Sequence, residues 1–418
     1  ANGKAIGTGK MRRVRLIFSQ TSKMGRSTGG FRMTEMVHGP LPVEVRDPIL
    51  PRWWRTVDRW TMASVLFLFI FGLILALAAS PPLAERNNLD AFYYVHRQAV
   101  FGGLALVAMT ITSMMSPDTV RRWATVSFGC ALLALILLPI FGTDFGKGAT
   151  RWYSFGFASV QPSEFIKPVF VVFSAWLISA SFEPGGPPGR MMSFAVAVVI
   201  AGFLALQPDF GQASLILFAW GVMYFCAGAP LLFILSMAAA TVLAGFVAYN
   251  YSEHFARRID GYMAADVDPN TQLGYAANAI QEGGLFGVGT GEGSVKWSLP
   301  DAHTDFIIAV AAEEYGVLMV LVILGLFAVI VLRTLARLVQ ERNLFVRLAG
   351  TGLVSMFGVQ AMINMGVAVR LLPAKGMTLP FVSYGGSSLI AGGIALGMIL
   401  AFTRSRPQGA LSAVLRGY

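Results

Sequence analysis

The chain is short of charge, cysteine and histidine, and each shortage excludes something. Only 13% of its 418 residues are Asp, Glu, Lys or Arg, about half the roughly 25% of a soluble domain, so an ordinary solvated surface is excluded. The two cysteines, Cys130 and Cys226, both fall in apolar runs. That leaves no disulfide framework and no CxxC metal site, and each reads as a small buried apolar residue. Four histidines are present, without an HExxH-type pattern. The first 60 residues contain no apolar h-region and carry 12 Lys/Arg against 4 Asp/Glu, so no cleavable signal peptide is expected there. They read instead as a basic segment, disordered to about Pro42.

Hydrophobic residues make up 55% of the chain. Runs long enough for a hydrocarbon layer about 30 Å thick occur at about 61–79, 98–115, 123–141, 163–181, 191–206, 212–226, 231–250, 306–332, 348–369 and 385–402. The expected fold is an all-α polytopic membrane protein of about ten transmembrane helices. The fifth and sixth runs are short and separated by Gln207-Pro208-Asp209-Phe210-Gly211-Gln212, so they read as two spans or as one broken, re-entrant pair. With ten spans both termini share a side. That side collects 22 Lys/Arg and 7 Asp/Glu, the other 10 and 15, which makes the terminus side cytoplasmic by the positive-inside rule. The net charge of +10 is therefore a topology signal rather than a nucleic-acid footprint. Trp53, Trp54 and Trp60 beside Arg52, Arg55 and Arg59 read as an interfacial anchor.

The division expected is a basic segment 1–60, a membrane region 61–406 and a short tail 407–418. The large extracytoplasmic loop, residues 251–304, lies between helices 7 and 8. So long a connection is unusual unless functional. Its end carries Gly283, Gly284, Gly287, Gly289, Gly291 and Gly293, favouring a tight turn over a phosphate cradle. The 207–212 break reads as an architectural kink in preference to a substrate contact, because unpaired backbone at membrane depth must be buried in protein or line a cavity.

Several polar clusters on the outward side point to chemistry. Lys147, Arg151 and Lys167 are candidates for an anionic head group, with Trp152 at the interface. Glu164 and Lys167, three apart on one helical face, can also pair as a structural bridge. Lys375 and the hydroxyls of Ser383 and Ser387 stand at the start of the last span, where a helix N-terminus receives phosphate oxygens or the paired glycines allow close packing. Then come Asp301, His303, Thr304 and Asp305. With Thr304 as helix N-cap, Asp305 falls in the first turn and stays ionised, placed to act as a general base toward a hydroxyl. His303, Asp301 and Asp305 are also a conceivable set for a divalent cation, Mg or Mn.

Five segments, in order, carry a resemblance: Lys147-Gly148-Ala149-Thr150-Arg151-Trp152, Gln161-Pro162-Ser163-Glu164, Gln207-Pro208-Asp209-Phe210-Gly211, Leu299-Pro300 followed by His303-Thr304-Asp305-Phe306, and Phe381-Val382-Ser383-Tyr384-Gly385-Gly386-Ser387-Ser388. From about residue 60 to 406 the chain resembles the SEDS membrane proteins (shape, elongation, division and sporulation), which polymerise bacterial cell wall. The run Leu372–Pro380, with Lys375-Gly376-Met377-Thr378, is similar to the division branch more than the elongation branch. The resemblance implies a ten-helix fold in the inner membrane at the division septum and a peptidoglycan glycosyltransferase acting on lipid II. It also implies a class B penicillin-binding protein and other divisome proteins as partners. It assigns the essential aspartate to Asp305, and family positions to Arg151, Trp152, Glu164 and Lys167. Asp301 departs from the family's glutamate and Ile308 from a frequent aromatic. A lipid II flippase, or a scaffold without activity, are the competing expectations.

Overall fold

The computed structural model describes residues 49–144, 150–156, 158–263, 271–299, 301–372 and 376–405. Most of the basic segment, the tail, Lys147 and Lys375 lie outside the described residues. The helices are α1 (Ile49–Thr56), α2 (Arg59–Arg86), α3 (Tyr93–Met114), α4 (Pro117–Phe141), α5 (Pro162–Ala180), α6 (Gly189–Leu206), α7 (Phe210–Cys226), α8 (Leu231–Tyr251), α9 (Glu253–Met263), α10 (Gln272–Gly283), α11 (Ile307–Val339), α12 (Leu344–Ala368) and α13 (Gly386–Thr403). Each of the ten apolar runs is a helix: α2 to α8, then α11 to α13. Among the described residues eight helices are long and apolar enough to cross a membrane, and α7 is apolar but 17 residues long.

The break at 207–209 separates two helices that fold back on each other. Ser193, near the start of α6, accepts a bond from the Trp220 indole near the end of α7 at 3.1 Å. α6 and α7 therefore pack antiparallel as a helical hairpin, an arrangement common to two spans and to a re-entrant pair. The long 251–304 connection is also less bare than its sequence reads. It contains α9, α10 and a short 3-10 turn, Val295–Trp297. Between α4 and α5, β1 (Tyr153–Ser154) and β2 (Ser159–Val160) pair antiparallel, with Trp152 bridged to Thr143.

Small residues decide the closest helix approach. A Cβ added at Gly393 would lie 2.3 Å from the Ala105 carbonyl oxygen, and one at Gly397 2.6 Å from that of Met109. Both glycines are four apart on α13, both partners four apart on α3, so two backbones meet along one stripe. α5, α12 and α13 are enclosed by the other helices, whereas α8 presents its length to the surroundings. Cys130 and Cys226 are exposed, contrary to expectation, because their helix faces turn away from the protein. Trp53 differs from its neighbours: it is buried and donates to Ser113 Oγ on α3 at 2.9 Å, while Trp54 and Trp60 stay exposed.

α11 is two helices joined at Gly316, whose φ of 78° is non-helical. From Ile307 to Glu314 every side chain is buried by protein; Ile308, in place of an aromatic, packs in this core. Beyond the kink, Leu318, Leu321, Val322, Leu324, Val329 and Leu332 are exposed, as suits a lipid-facing surface. At the far end Asp58, only 2% exposed, accepts from Arg333 Nε at 2.8 and 2.9 Å, from Thr61 Oγ1 at 2.9 Å, and pairs with Arg337 at 3.1 Å. Arg337 also donates to the Thr403 carbonyl. That knot ties α2, α11 and α13 together.

Candidate functional site

Asp305 does not lie in a helical first turn. α11 begins at Ile307 with Phe306 as its N-terminal flank, and Thr304 is not a cap. Residues 301–306 form a tight series of turns around one carbonyl: the amides of Thr304, Asp305 and Phe306 all donate to Asp301 O, at 3.0, 3.1 and 3.4 Å. The Thr304 hydroxyl adds a bond of 3.1 Å. Asp301 itself has φ of 55°, a left-handed conformation that a short polar side chain tolerates. Its contribution to the turn is thus made by its backbone.

The next three carbonyls are fastened from elsewhere. His303 O accepts from the Tyr384 amide at 2.9 Å, Thr304 O from the Ser383 hydroxyl in a short bond, and Asp305 O from Asn364 Nδ2 at 3.0 Å. Asp305 is half-buried, and a Cβ at Gly376 would lie 3.0 Å from its Oδ2. The carboxylate therefore sits against the loop that precedes α13. Ser383 does not cap α13, which starts at Gly386. Its oxygen also accepts from the Leu379 amide at 2.9 Å, so the hydroxyl is a staple between the two segments.

Buried amides hold that loop. Asn364 and Gln360, one turn apart on α12, donate to the Met377 and Thr378 carbonyls at 2.6 and 3.0 Å. Gln98 on α3 donates to Gly72 O and Val382 O, each at 3.1 Å. Irregular backbone in an apolar bundle needs such partners, and polar residues isolated within apolar runs were the available sequence signal for them. His303 forms a three-ring cluster with Tyr94 and Tyr384, at 5.7 and 5.6 Å, the two tyrosines being 5.5 Å from each other. Burial pushes the Tyr384 phenol up, against the opposing charge of Arg97, so the ring stays neutral and able to donate near neutral pH.

Glu164 and Lys167 pair at 2.8 Å, both buried. Gln212 donates to the second Glu164 oxygen at 2.7 Å, and Lys167 donates to Gln360 at 3.2 Å. This chain of four links α5, α7 and α12 and ends on the loop at Thr378. It borders a cleft of about 30 Å³ shared with Thr378, Ser383 and Ser388, with room for water and none for a sugar. The hydroxyls of Ser163, Thr378 and Ser387 have no partner among the described residues. Arg151 is committed elsewhere: Nε donates to Gln207 O at 2.9 Å and Nη2 to Pro208 O at 3.0 Å. It closes the end of α6, which is why the 207–209 break is tolerated. Asp209, whose carboxyl burial pushes up against the pull of Arg151, caps α7 through the Gln212 amide at 3.3 Å.

The glycine run is a packing device. A Cβ at Gly283 would lie 1.8 Å from Ala312 O, at Gly287 2.1 Å from Glu314 O, and at Gly316 2.2 Å from Leu285 O. The kink in α11 frees backbone groups that the loop takes up: Val288 N donates to Glu313 O at 2.9 Å, and Val317 N to Gly284 O at 3.0 Å. Lys296, which the sequence did not single out, pairs with Glu314 at 2.5 Å with 5% and 0% side-chain exposure.

Among the described residues no group of three or more His, Cys, Asp or Glu is placed to hold a metal ion. His303 packs against Tyr94 and Tyr384, and it lines one small cavity together with Asp301, Arg86 and Lys296. The two cationic side chains in that lining oppose a metal ion beside Asp301 and His303.

Residues 59–408 match the model of the cell cycle protein family of FtsW, RodA and SpoVE. The chain is 40% identical to the probable peptidoglycan glycosyltransferase FtsW of Caulobacter vibrioides over 356 residues, 85% of this chain and 91% of that one. It is 33% identical to stage V sporulation protein E of Bacillus subtilis over 361 residues, covering 83% and 97%. Among solved structures it is similar to a chain of a peptidoglycan synthase complex that coordinates polymerization and crosslinking, with a TM-score of 0.68 at 28% identity, covering 83% and 97%. RodA of Thermus thermophilus gives 0.60 at 26%, covering 84% and 97%. Matched from the start of α2 past the end of α13, this multi-pass membrane protein belongs to the FtsW, RodA and SpoVE family.

Proposed function

We propose that this protein is a peptidoglycan glycosyltransferase of the division type that polymerises lipid II, with Asp305 as general base. Asp305 takes the proton from the 4-hydroxyl of the acceptor sugar. The oxygen attacks the anomeric carbon of the donor glycan, the bond to the pyrophosphate oxygen breaks, and undecaprenyl pyrophosphate leaves. What carries the reading is the placement of this carboxylate. It is half-buried, on a turn whose three carbonyls, at 303, 304 and 305, are each fastened from another element. A general base works when it is held in reach of its proton, and positioning contributes much of the rate.

In this reading the Asp305 end faces outward and both termini are cytoplasmic, in keeping with the charge asymmetry. The basic segment 1–60 and the tail 407–418 then flank the 61–406 membrane region on the inside. Lys147 and Lys375, on the outward loops of the sequence, are assigned to the leaving pyrophosphate. Arg151, Trp152, Glu164, Lys167, Thr304 and Ser383 shape the site through their protein contacts, His303 through its cluster with two tyrosines, and Ser387 offers its hydroxyl. Identity of 40% to a relative named FtsW supports the division role. The similar synthase complex supports a transpeptidase partner of the penicillin-binding class, at the septum with other divisome proteins.

The test is purified protein with lipid II, with and without that transpeptidase, scored for glycan polymer. Wild type makes polymer, and folded Asp305→Asn makes it at least about 10²-fold more slowly. Polymer at the wild-type rate from the variant overturns the base assignment. Movement of labelled lipid II across vesicles without polymer points to a flippase instead.

A further inference from the structure

We propose that Lys296 is a positioning residue for Asp305, acting through a buried clasp with Glu314 and, one residue back, through Val295 with Glu313. The inference rests on Asp305 being the catalytic base. Lys296 and Glu314 pair at 2.5 Å with 5% and 0% side-chain exposure. Lys296 also donates to Gly291 O at 3.0 Å, while Gly291 N donates to the other Glu314 oxygen at 3.1 Å. The neighbouring rung is the Val295 amide on Glu313 Oε1 at 2.7 Å, and a Cβ at Gly293 would lie 2.8 Å from that carboxyl carbon.

The position of this clasp along the chain gives it meaning. Lys296 lies nine residues before Asp305 and Glu314 nine residues after it, so the ion pair closes a chain hairpin with Asp305 at the apex. Both legs are stiff. The ascending leg is the 3-10 turn, with Leu299 N bonded to Val295 O at 3.0 Å, followed by the turns around Asp301 O. The descending leg is the fully buried half of α11. The apex is fastened at 303–305, but those bonds fix only where it touches α12 and the loop before α13. The base fixes the angle at which the two legs deliver it.

Breaking a buried ion pair by removing one partner strands the other charge and is strongly destabilising, whereas removing both is often tolerated. The informative variant is therefore the double Lys296→Met/Glu314→Gln, assayed as the full chain with its transpeptidase on lipid II. The expected result is folded protein with kcat lowered about tenfold or more, as a displaced catalytic group produces. KM for lipid II stays unchanged, and the single Glu313→Gln falls between. Wild-type kcat in the double variant, or a loss confined to KM, overturns the clasp. A loss of kcat that tracks the loss of folded protein also overturns it. Asp305→Asn run beside it separates the two ideas: if that variant polymerises normally, the catalytic reading fails, whatever Lys296 does. A second measurement needs no variant. Hydrogen exchange on wild type should protect the Gly291 and Val295 amides as strongly as the first half of α11, and rapid exchange there overturns the proposal.

Discussion

The two ends of α11 solve one problem in different ways. Both hold an ion pair that ties the helix to another part of the chain. At the Asp58 end the carboxylate is buried but its arginines are 40% and 30% exposed, so water shares the charge. At the Asp305 end Lys296 and Glu314 are sealed, and the loop carrying Lys296 is pressed backbone to backbone onto the helix. A wet pair anchors a helix end and tolerates some movement. A dry pair with every polar atom matched fixes a geometry, because an imperfect one leaves a buried charge unsatisfied. The rigid device lies at the end that carries the candidate chemistry.

That contrast can be broken in order of effect. Asp305→Asn should cut polymerisation about 10²- to 10⁴-fold, the range for a lost general base, with melting temperature in detergent unchanged. A melting temperature that falls in parallel would make the residue structural. Next, Gly283→Val drives a side chain into the Ala312 carbonyl and should cost stability near the upper end of the roughly 1–3 kcal/mol seen for overpacking, visible as an earlier thermal transition. Asp58→Asn leaves Arg333 and Arg337 without their partner. Because both are well exposed the cost should be about 1–2 kcal/mol, and activity per folded molecule should persist. Raising ionic strength should narrow the gap between Asp58→Asn and wild type, and should leave the gap for the Lys296 double variant unchanged. Last, Glu253→Gln removes a pair with 77% and 93% exposed partners and should change neither melting nor polymer yield.

Much of the fold was legible because burying apolar runs in a membrane is a local requirement of each run. Every apolar run is a helix, although Pro81 and Pro82, just past the first run, lie inside α2 and do not end it. The glycine run was also read correctly as a turn, since no strand and helix flank it in the way a phosphate cradle needs. Three things were not legible. The N-terminus of α11 lies at Ile307 and not after Thr304, because the turn around Asp301 O uses the amides that a cap would have served. Ser383 and Arg151 looked like ligand groups, yet each is taken up by backbone carbonyls of a distant segment. Lys296 was not singled out in the sequence, because its partner Glu314 lies 18 residues on and is met only in the folded chain.

By itself, then, the sequence determined the solvent this protein lives in and the helices that solvent demands. Those follow from composition and from runs about one bilayer long, while the choice of Asp305 as candidate base came from the resemblance. Which polar groups are taken up by the protein's own backbone was decided by tertiary structure alone. In a low-dielectric bundle each carbonyl left open by a helix break or an irregular loop must find a donor. The donors that answer, Arg151, Gln98, Gln360, Asn364 and Ser383, come from segments tens to hundreds of residues away.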